Sequence, residues 1–331
     1  PHRGFMPRGG GSGDRPSGKL IPMRRLLRSL AAIVLAIGFA ACGDDASPMD
    51  ATIDAPDGID AGPLEPATFR VLTWNVQNLF DDRNDPDFED DVLTTSAMNA
   101  KITAIARVLN AVDADFVALQ EVENLRVLDL LNAAVPSLGY TERDLRDGFD
   151  GRGIDVAFLA RTPVTMVVSH IGERFPGASG DETYFFTRDA LEVFTTPGGH
   201  PITVMNVHFR SQLDGGDDRR LAEALQARRI ADRRILLGTE RMLIIGDIND
   251  QPGSDVYDAL VAGGGMVDLT TRIPSADRWT FVFRGARQQL DYAFANPSLV
   301  DEVANVRILH GPEVDAASDH QPVIVEFLLT Q

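Results

Sequence analysis

The run Met242-Leu243-Ile244-Ile245-Gly246-Asp247-Ile248-Asn249 sets four apolar residues directly before a glycine, a carboxylate and an amide. It reads as a short buried strand whose end carries Asp247 and Asn249 to the rim of a sheet. Ser318-Asp319-His320 stands in a comparable place, just before the apolar Val323-Ile324-Val325. Carboxylates, an amide and an imidazole at the rim of a sheet can hold a metal ion and an attacking water. A purely structural protein has little reason to place such groups there twice.

Working outward, strands are expected at Phe69–Trp74, Phe116–Leu119, Ile154–Ala160, 164–169 and 190–195. Pro197-Gly198-Gly199 then turns the chain back into Ile202–Val207 as a hairpin. Later strands are expected at Trp279–Phe283, Leu290–Phe294, Val303–Leu309 and Val323–Leu329. Helical spacing covers Lys101–Val112, Leu125–Leu131 and Arg219–Leu237, the last with Leu221, Ala224, Leu225, Arg228 and Ala231 along one stripe. Ser254 opens a further helix through Ala262, with Asp255 in its first turn. Hairpins with interspersed helices favour a mixed α/β layered sandwich. No GxGxxG or GxxxxGK[ST] occurs. The polar stretches 76–95, 144–153 and 174–188 read as loops in which substrate choice resides.

The first 41 residues read as upstream sequence and a signal peptide. Met23 is a better start than Pro1; Arg24, Arg25 and Arg28 precede an apolar run from Ser29 to Ala41, too short to span a bilayer. Small residues before Cys42, the only cysteine, resemble a bacterial lipoprotein cleavage site. An exported protein has little use for a lone thiol, so lipidation of Cys42 is expected, an ordinary secretory signal or an uncleaved anchor being the alternatives. The protein would then be held at the cell envelope, on the outer membrane or cell surface. Residues 42–66 carry seven acids and no base and read as a solvated tether to a monomeric domain at 67–331.

The whole chain carries −18. Setting aside residues 1–41, with seven bases and one acid, and the seven acids of 42–66, leaves the domain at −17. Such a domain has no general attraction for nucleic acid or anionic lipid. A phosphate substrate stays open, because bound divalent cations would invert the local field.

Polar groups recur at the ends of the apolar runs: Asn75, Glu121, Asp247 with Asn249, and Asp319 with His320; His208 and Asp291 lie within or at the ends of strands. Singly, each has a bland reading as a turn cap, an Asx turn, a salt bridge or a core histidine. Together they suit one chemistry. Glu121 is a hard oxygen ligand for Mg²⁺, with Mn²⁺ or Ca²⁺ as alternatives. Asn75 can support that ion or its phosphate. With no HExxH and no Cys pair, zinc is disfavoured. Asp247 can orient and deprotonate a water, Asn249 can donate to a phosphoryl oxygen, and His320 can meet developing negative charge. That set amounts to metal-assisted phosphoester hydrolysis.

The segments LTWNVQN, ALQEVEN, RGIDVAFLAR, MNVHFRSQ, IIGDINDQPGSD, QQLDYAF and SDHQPV, in that order over residues 69–327, resemble the endonuclease/exonuclease/phosphatase (deoxyribonuclease I-like) superfamily. The resemblance implies a four-layer α/β/β/α sandwich with two facing mixed sheets, and divalent-metal phosphoester hydrolysis by in-line attack of water. It implies Glu121, Asn75 and Asp319 at the metal, and Asp247 and Asn249 as the pair orienting water and phosphate. Asp291 would hold the catalytic His320. His208 falls where deoxyribonuclease-like members have His and abasic endonucleases have Tyr. HFRSQ and FVFRGARQQLDYAF are similar to the secreted bacterial nuclease branch, making Arg210 and Arg152 candidate phosphate contacts. GDIND departs from the pattern in its Ile, and that branch's large disulfide-bearing extensions are absent. A nuclease is the first expectation. A phosphatase or phosphodiesterase on small phosphoesters, inositol phosphates or phospholipid head groups is the second, favoured by the acidic domain and the tether. Trp74, Tyr184, Phe185 and above all Trp279 are the candidates for stacking on bases.

Overall fold

The structure, a computed structural model, describes residues 63–212 and 215–331. The expectations for the signal peptide, Cys42 and the tether up to residue 62 lie outside the described residues. The strands are β1 (Ala67–Leu79), β2 (Phe116–Val122), β3 (Glu142–Leu145), β4 (Asp155–Ala160), β5 (Val164–Val168), β6 (Phe175–Pro176), β7 (Thr183–Tyr184) and β8 (Leu191–Thr195). They continue with β9 (Ile202–His208), β10 (Met242–Asp247), β11 (Val267–Asp268), β12 (Phe281–Phe283), β13 (Ala286–Gln288), β14 (Asp291–Ala295), β15 (Val303–Ile308) and β16 (Val323–Leu329). The four longer α-helices are α1 (Thr95–Val112), α2 (Leu125–Ala133), α3 (Asp217–Leu236) and α4 (Asp255–Val261).

Two mixed sheets form, in the orders β15-β16-β1-β2-β4-β3 and β11-β14-β10-β9-β8-β5. Period-two alternation explains how they stack. Phe69 and Val71 of β1, Phe116 and Ala118 of β2, and Val156 and Phe158 of β4 enter one cluster with Val204, Leu243, Ile245 and Ala293 of the other sheet. The alternate residues Leu72, Trp74, Val117 and Leu119 turn outward onto Ile102, Ile105 and Leu109 of α1 and Val127 and Leu128 of α2. On the far side Met205, Val207, Met242 and Ile244 meet Ala224, Ala227 and Ile230 of α3 and Val256 and Leu260 of α4. Three apolar layers between four structural layers make the expected α/β/β/α sandwich. Both faces of the central strands are buried, which is why they read as continuous apolar runs.

A polar clamp crosses the inter-sheet layer. Gln120 Nε2 donates to Asn206 Oδ1 at 2.7 Å, and Asn206 Nδ2 donates to the carbonyls of Leu119 and Ala157 at 3.0 and 2.9 Å.

Some expectations shift. The stripe of α3 is rotated: Ala222, Glu223, Ala224, Ala227, Ile230 and Ala231 are buried, and Leu221 and Leu225 only partly. Small side chains let this helix lie close to the sheet. β1 runs on to Leu79, α1 starts at Thr95, and β3 occupies the head of the expected 144–153 loop. β12 belongs to neither large sheet. It pairs with β13 through Arg284 and Gly285, both at positive φ (50° and 83°), the geometry of a two-residue hairpin turn.

Candidate active site

Register assembles the site. Parallel pairing sets Asp247 beside His208, and antiparallel pairing sets it beside Asp291, so three strand ends of one sheet bring these side chains together. Gly246 makes this possible. Its φ is +136°, and a Cβ there would lie 1.9 Å from the Val207 carbonyl oxygen. In the facing sheet Asn75 pairs with Gln120, and both strands bulge immediately beyond. Gln77, Asn78, Glu121 and Asn249 all take positive φ around the rim, a costly conformation for residues with a Cβ.

Asn75 joins the two rims: its Nδ2 donates to Asp247 Oδ2 at 3.0 Å and to Glu121 Oε1 at 3.2 Å. The Asn78 backbone N–H donates to Glu121 Oε2 at 2.8 Å. Asp247 Oδ1 accepts from the Asn249 N–H at 2.7 Å, and Asn249 Nδ2 donates to the Phe209 carbonyl at 2.9 Å, leaving its second amide hydrogen. His320 Nδ1 is 2.8 Å from Asp291 Oδ2, which leaves Nε2 for the cleft. Its backbone is fixed on both sides: Trp74 Nε1 donates to the His320 carbonyl at 2.8 Å, and the His320 N–H donates to Ser318 Oγ at 3.1 Å. Ser318 Oγ in turn donates to the Asn75 carbonyl at 2.7 Å, tying SDH to the first strand. The Phe281 ring lies 4.7 Å from the His320 ring.

The electrostatics separate the roles. Burial works against charge on His320, but Asp291, Asp247 and Asp319 outweigh it and raise the imidazole to about 10, so it is an imidazolium at neutral pH. Asp247 is pushed up to about 7, first by burial and then by Asp291, with His320 pulling the other way. His208 is driven well below the usual imidazole range by burial, then by Arg188 and His320, and is neutral. Its Nε2 lies 3.6 Å from Asp247 Oδ2 and 4.0 Å from Glu121 Oε1.

These side chains border a cleft of about 340 Å³. Asn75, Glu121, His208, Asp247, Asn249, Asp319, His320 and Arg152 all line it; Asp291 stands behind His320. Arg210 does not line it. Its N–H donates to Glu223 Oε2 at 2.6 Å, and its Cγ would be 2.6 Å from a Cβ at Gly216. Arg188 lines the cleft instead, fully buried and paired with Asp150 at 2.5 Å. Asp150 also takes Arg152 Nε at 3.1 Å. Nothing in the sequence marks Arg188, because an irregular loop brings it in. Phe281 and Phe283 line the cleft, whereas Trp279 stacks on His310 outside it. Lys101, on α1, donates to the Ala317 carbonyl at 2.6 Å and faces the charges of Asp319 and Glu121.

Residues 72–320 match the profile described as the Endonuclease/Exonuclease/phosphatase family. The chain belongs to this family. Its fold is similar to that of the human Nocturnin catalytic domain with bound sulfate, at 16% identity and TM-score 0.59, over 78% of this chain and 94% of that one. It is similar to a family protein from Bacteroides thetaiotaomicron at 19% identity and TM-score 0.58, over 80% and 95% of the two chains. It also resembles TDP2 from D. rerio complexed with single strand DNA product, at 15% identity and TM-score 0.57, over 79% and 99%. No curated protein matches the chain.

Endonuclease/exonuclease/phosphatase members hydrolyse phosphoester bonds and are typically dependent on divalent metals. The donor set here fits such an ion. Glu121, Asp247 and Asp319 offer carboxylate oxygens in one cleft. Apart from His208 at 4.0 Å, Glu121 has no cationic partner within ion-pair distance among the described residues. Asn78 Oδ1 is buried there with no hydrogen-bond partner. Hard oxygen donors of this kind would suit Mg²⁺, Mn²⁺ or Ca²⁺. Asp247, Asp291 and His320 also offer ligand atoms within 4.8 Å of one another. An imidazolium that donates Nδ1–H to Asp291 keeps Nε2–H for hydrogen bonding and has no lone pair left for a metal.

Proposed function

We propose that the protein is a divalent-metal-dependent phosphodiesterase acting on nucleic acid. The observation that carries this reading is one cleft holding a proton-bearing His320–Asp291 pair, a half-titrated Asp247 and two arginines, walled by the half-buried Phe281 and the exposed Phe283. Asp247, at about 7, takes the proton of a water whose oxygen bonds to phosphorus while the opposite P–O ester bond breaks in line, and the departing oxygen is protonated by solvent. His320 keeps its proton and directs Nε2–H at the oxygens where negative charge grows. His208, neutral, and the free amide hydrogen of Asn249 complete the donors. Glu121, Asn75 and Asp319 would hold Mg²⁺, or Mn²⁺ or Ca²⁺. When bound, the ion polarises a phosphoryl oxygen and lowers the pKa of water.

Arg188 and Arg152 suit phosphate oxygens by their fork geometry. Phe281 and Phe283 offer faces for bases. These two features favour a nucleic acid over a small ester. The second reading, a phosphatase or phosphodiesterase on inositol phosphates or phospholipid head groups, is favoured by the −17 charge and by the exposed Val282 at the hairpin tip. Export and attachment to the cell envelope through lipidated Cys42, as a monomer, belong to the same proposal. A panel of single- and double-stranded DNA, RNA, sphingomyelin and inositol phosphates, each with Mg²⁺, Mn²⁺ or Ca²⁺, tests it. Turnover of oligonucleotides is expected, and turnover confined to lipids or inositol phosphates would refute the nuclease. Mass spectrometry of the mature N-terminus tests the anchor, and an unmodified Cys42 would refute it.

A further inference from the structure

A second concave site lies between the edge strand β5 and helix α3, a cavity of about 570 Å³ bordered by His170, Arg174, Arg229, Arg233 and Arg234. Its floor is built. Glu192, fully buried, receives Arg234 at 2.7 Å and His170 Nε2 at 3.2 Å, while His170 Nδ1 meets Glu173 at 2.8 Å. Its wall is not neutralised. Arg229 and Arg233 stand one turn apart on α3, both exposed, and neither guanidinium has an ion pair or hydrogen bond among the described residues. Two like charges at that spacing repel. Basic residues in a last helical turn complement the helix dipole, which accounts for Arg233 and Arg234. It accounts neither for Arg229 nor for Arg174 and His170, which come from a different segment.

Contacts connect this cavity to the active-site cleft. The Arg174 guanidinium lies 5.0 Å over the Phe185 ring, and Phe185 lies 5.4 Å from Phe149. The Phe149 N–H donates to the Thr187 carbonyl at 2.8 Å, one residue before Arg188, and the next residue, Asp150, holds both Arg152 and Arg188. Phe149 is 58% exposed, enough to offer a ring face. Cations and aromatic faces therefore alternate from the cleft, along loops 144–153 and 174–188, to α3.

We propose that this track binds the backbone of a single-stranded nucleic acid beyond the scissile phosphate, with Arg229 and Arg233 each taking one phosphate and the exposed face of Phe149 stacking a base on the way from the cleft. The inference rests on the nucleic-acid reading above. It explains how a domain of −17 holds a polyanion: arginines without side-chain partners stand along the path. Alternating cations and rings match a strand with exposed bases; a duplex keeps its bases stacked inside.

The test compares wild type with Arg229→Gln/Arg233→Gln, whose substitutions lie on the surface of α3 away from the cleft. Anisotropy of a labelled 15-nucleotide single strand is read across a salt series, and hydrolysis of that strand is compared with that of bis-p-nitrophenyl phosphate. The double variant binds the strand about tenfold more weakly, and the slope of log affinity on log salt falls by about 1.4, the share of two single-strand phosphates. KM for the strand rises while kcat, and turnover of the small diester, stay unchanged. Unchanged affinity and salt slope would overturn the proposal, as would an equal loss on the small diester. A strand that binds through the arginines and is not cut would sink the nuclease and leave the track. A strand cut equally well by both proteins would do the reverse.

Discussion

Replacing Asp291 with Asn removes one charge at nearly constant shape from beneath His320. Asp291 is wholly buried, and its Oδ2 lies 2.8 Å from His320 Nδ1. Burial alone lowers an imidazole's pKa, so the rise to about 10 depends on carboxylates, of which Asp291 is the strongest. Without it, His320 falls towards the ordinary value of about 6.5 or below. At pH 8 a group with pKa about 6.5 is roughly 3% protonated, so this factor alone lowers turnover about 30-fold. Lost aim of the ring adds to that, because Asn can present its amide rather than its oxygen to Nδ1. The pH profile is the sharper readout. Wild-type kcat/KM should rise as Asp247 ionises near pH 7 and fall only as His320 deprotonates near pH 10. In the variant the alkaline limb moves down and closes that window. Stability follows the same sign. His320 has a folded pKa above its unfolded value, so its contribution is complete below about 6.5 and is lost as pH rises through about 10. The shift sets a ceiling on the order of 5 kcal/mol, in line with about 3–5 kcal/mol for breaking a buried pair. Denaturant melts at pH 7 and pH 10.5 should therefore show the variant's deficit only at the lower pH. An alkaline limb unmoved in Asp291→Asn would refute the reasoning, since His320 would then not be working as an imidazolium.

Gly246→Ala forces a Cβ to within 1.9 Å of the Val207 oxygen at φ +136°, and should cost more than about 3 kcal/mol in a denaturant melt; a loss under about 1 kcal/mol would contradict the close approach. Asn206→Ala strips the inter-sheet clamp, removing the donor to the carbonyls of Leu119 and Ala157 and the acceptor of the buried Gln120 amide, for an expected loss of about 2–4 kcal/mol. Glu121→Gln should reduce the rise in melting temperature that Mg²⁺ or Mn²⁺ gives the wild type while leaving the metal-free melt within about 1 kcal/mol; an undiminished rise would place the ion elsewhere. Phe283→Ala should raise KM for a single-stranded oligonucleotide about tenfold and leave a small diester unaffected, in keeping with about 1–3 kcal/mol for a stacked base.

Much of the site was legible because it is built from strand ends. An apolar run that stops at Gly246-Asp247 declares both the strand and the residue at its rim, and the same holds for Asn75, His208 and Asp291. Helices between hairpins pointed to a mixed α/β layered sandwich, and the four-layer order came with the family resemblance. What could not be read depends on loops and on long-range pairing. Arg188 enters the cleft only because Asp150, 38 residues earlier, captures it. Arg210 sits next to His208-Phe209 in sequence, yet its N–H is captured by Glu223 of α3 and it does not line the cleft. Trp279 looked the best ring for stacking, but the tight turn at Arg284-Gly285 presents Phe281 and Phe283 instead. Leu221 and Leu225 suggest one stripe for α3, but close packing on the sheet selects the alanines instead.

Hydrolysis of an activated phosphodiester with Mn²⁺ or Mg²⁺ by wild type, Asp247→Asn and His320→Ala, with folding of each checked by circular dichroism, tests the roles of these two residues most directly. Turnover that needs the cation and falls at least a thousandfold in both folded variants, about 4 kcal/mol of transition-state stabilisation, is the predicted result. Turnover that persists in either folded variant, or that is indifferent to chelation, would contradict it.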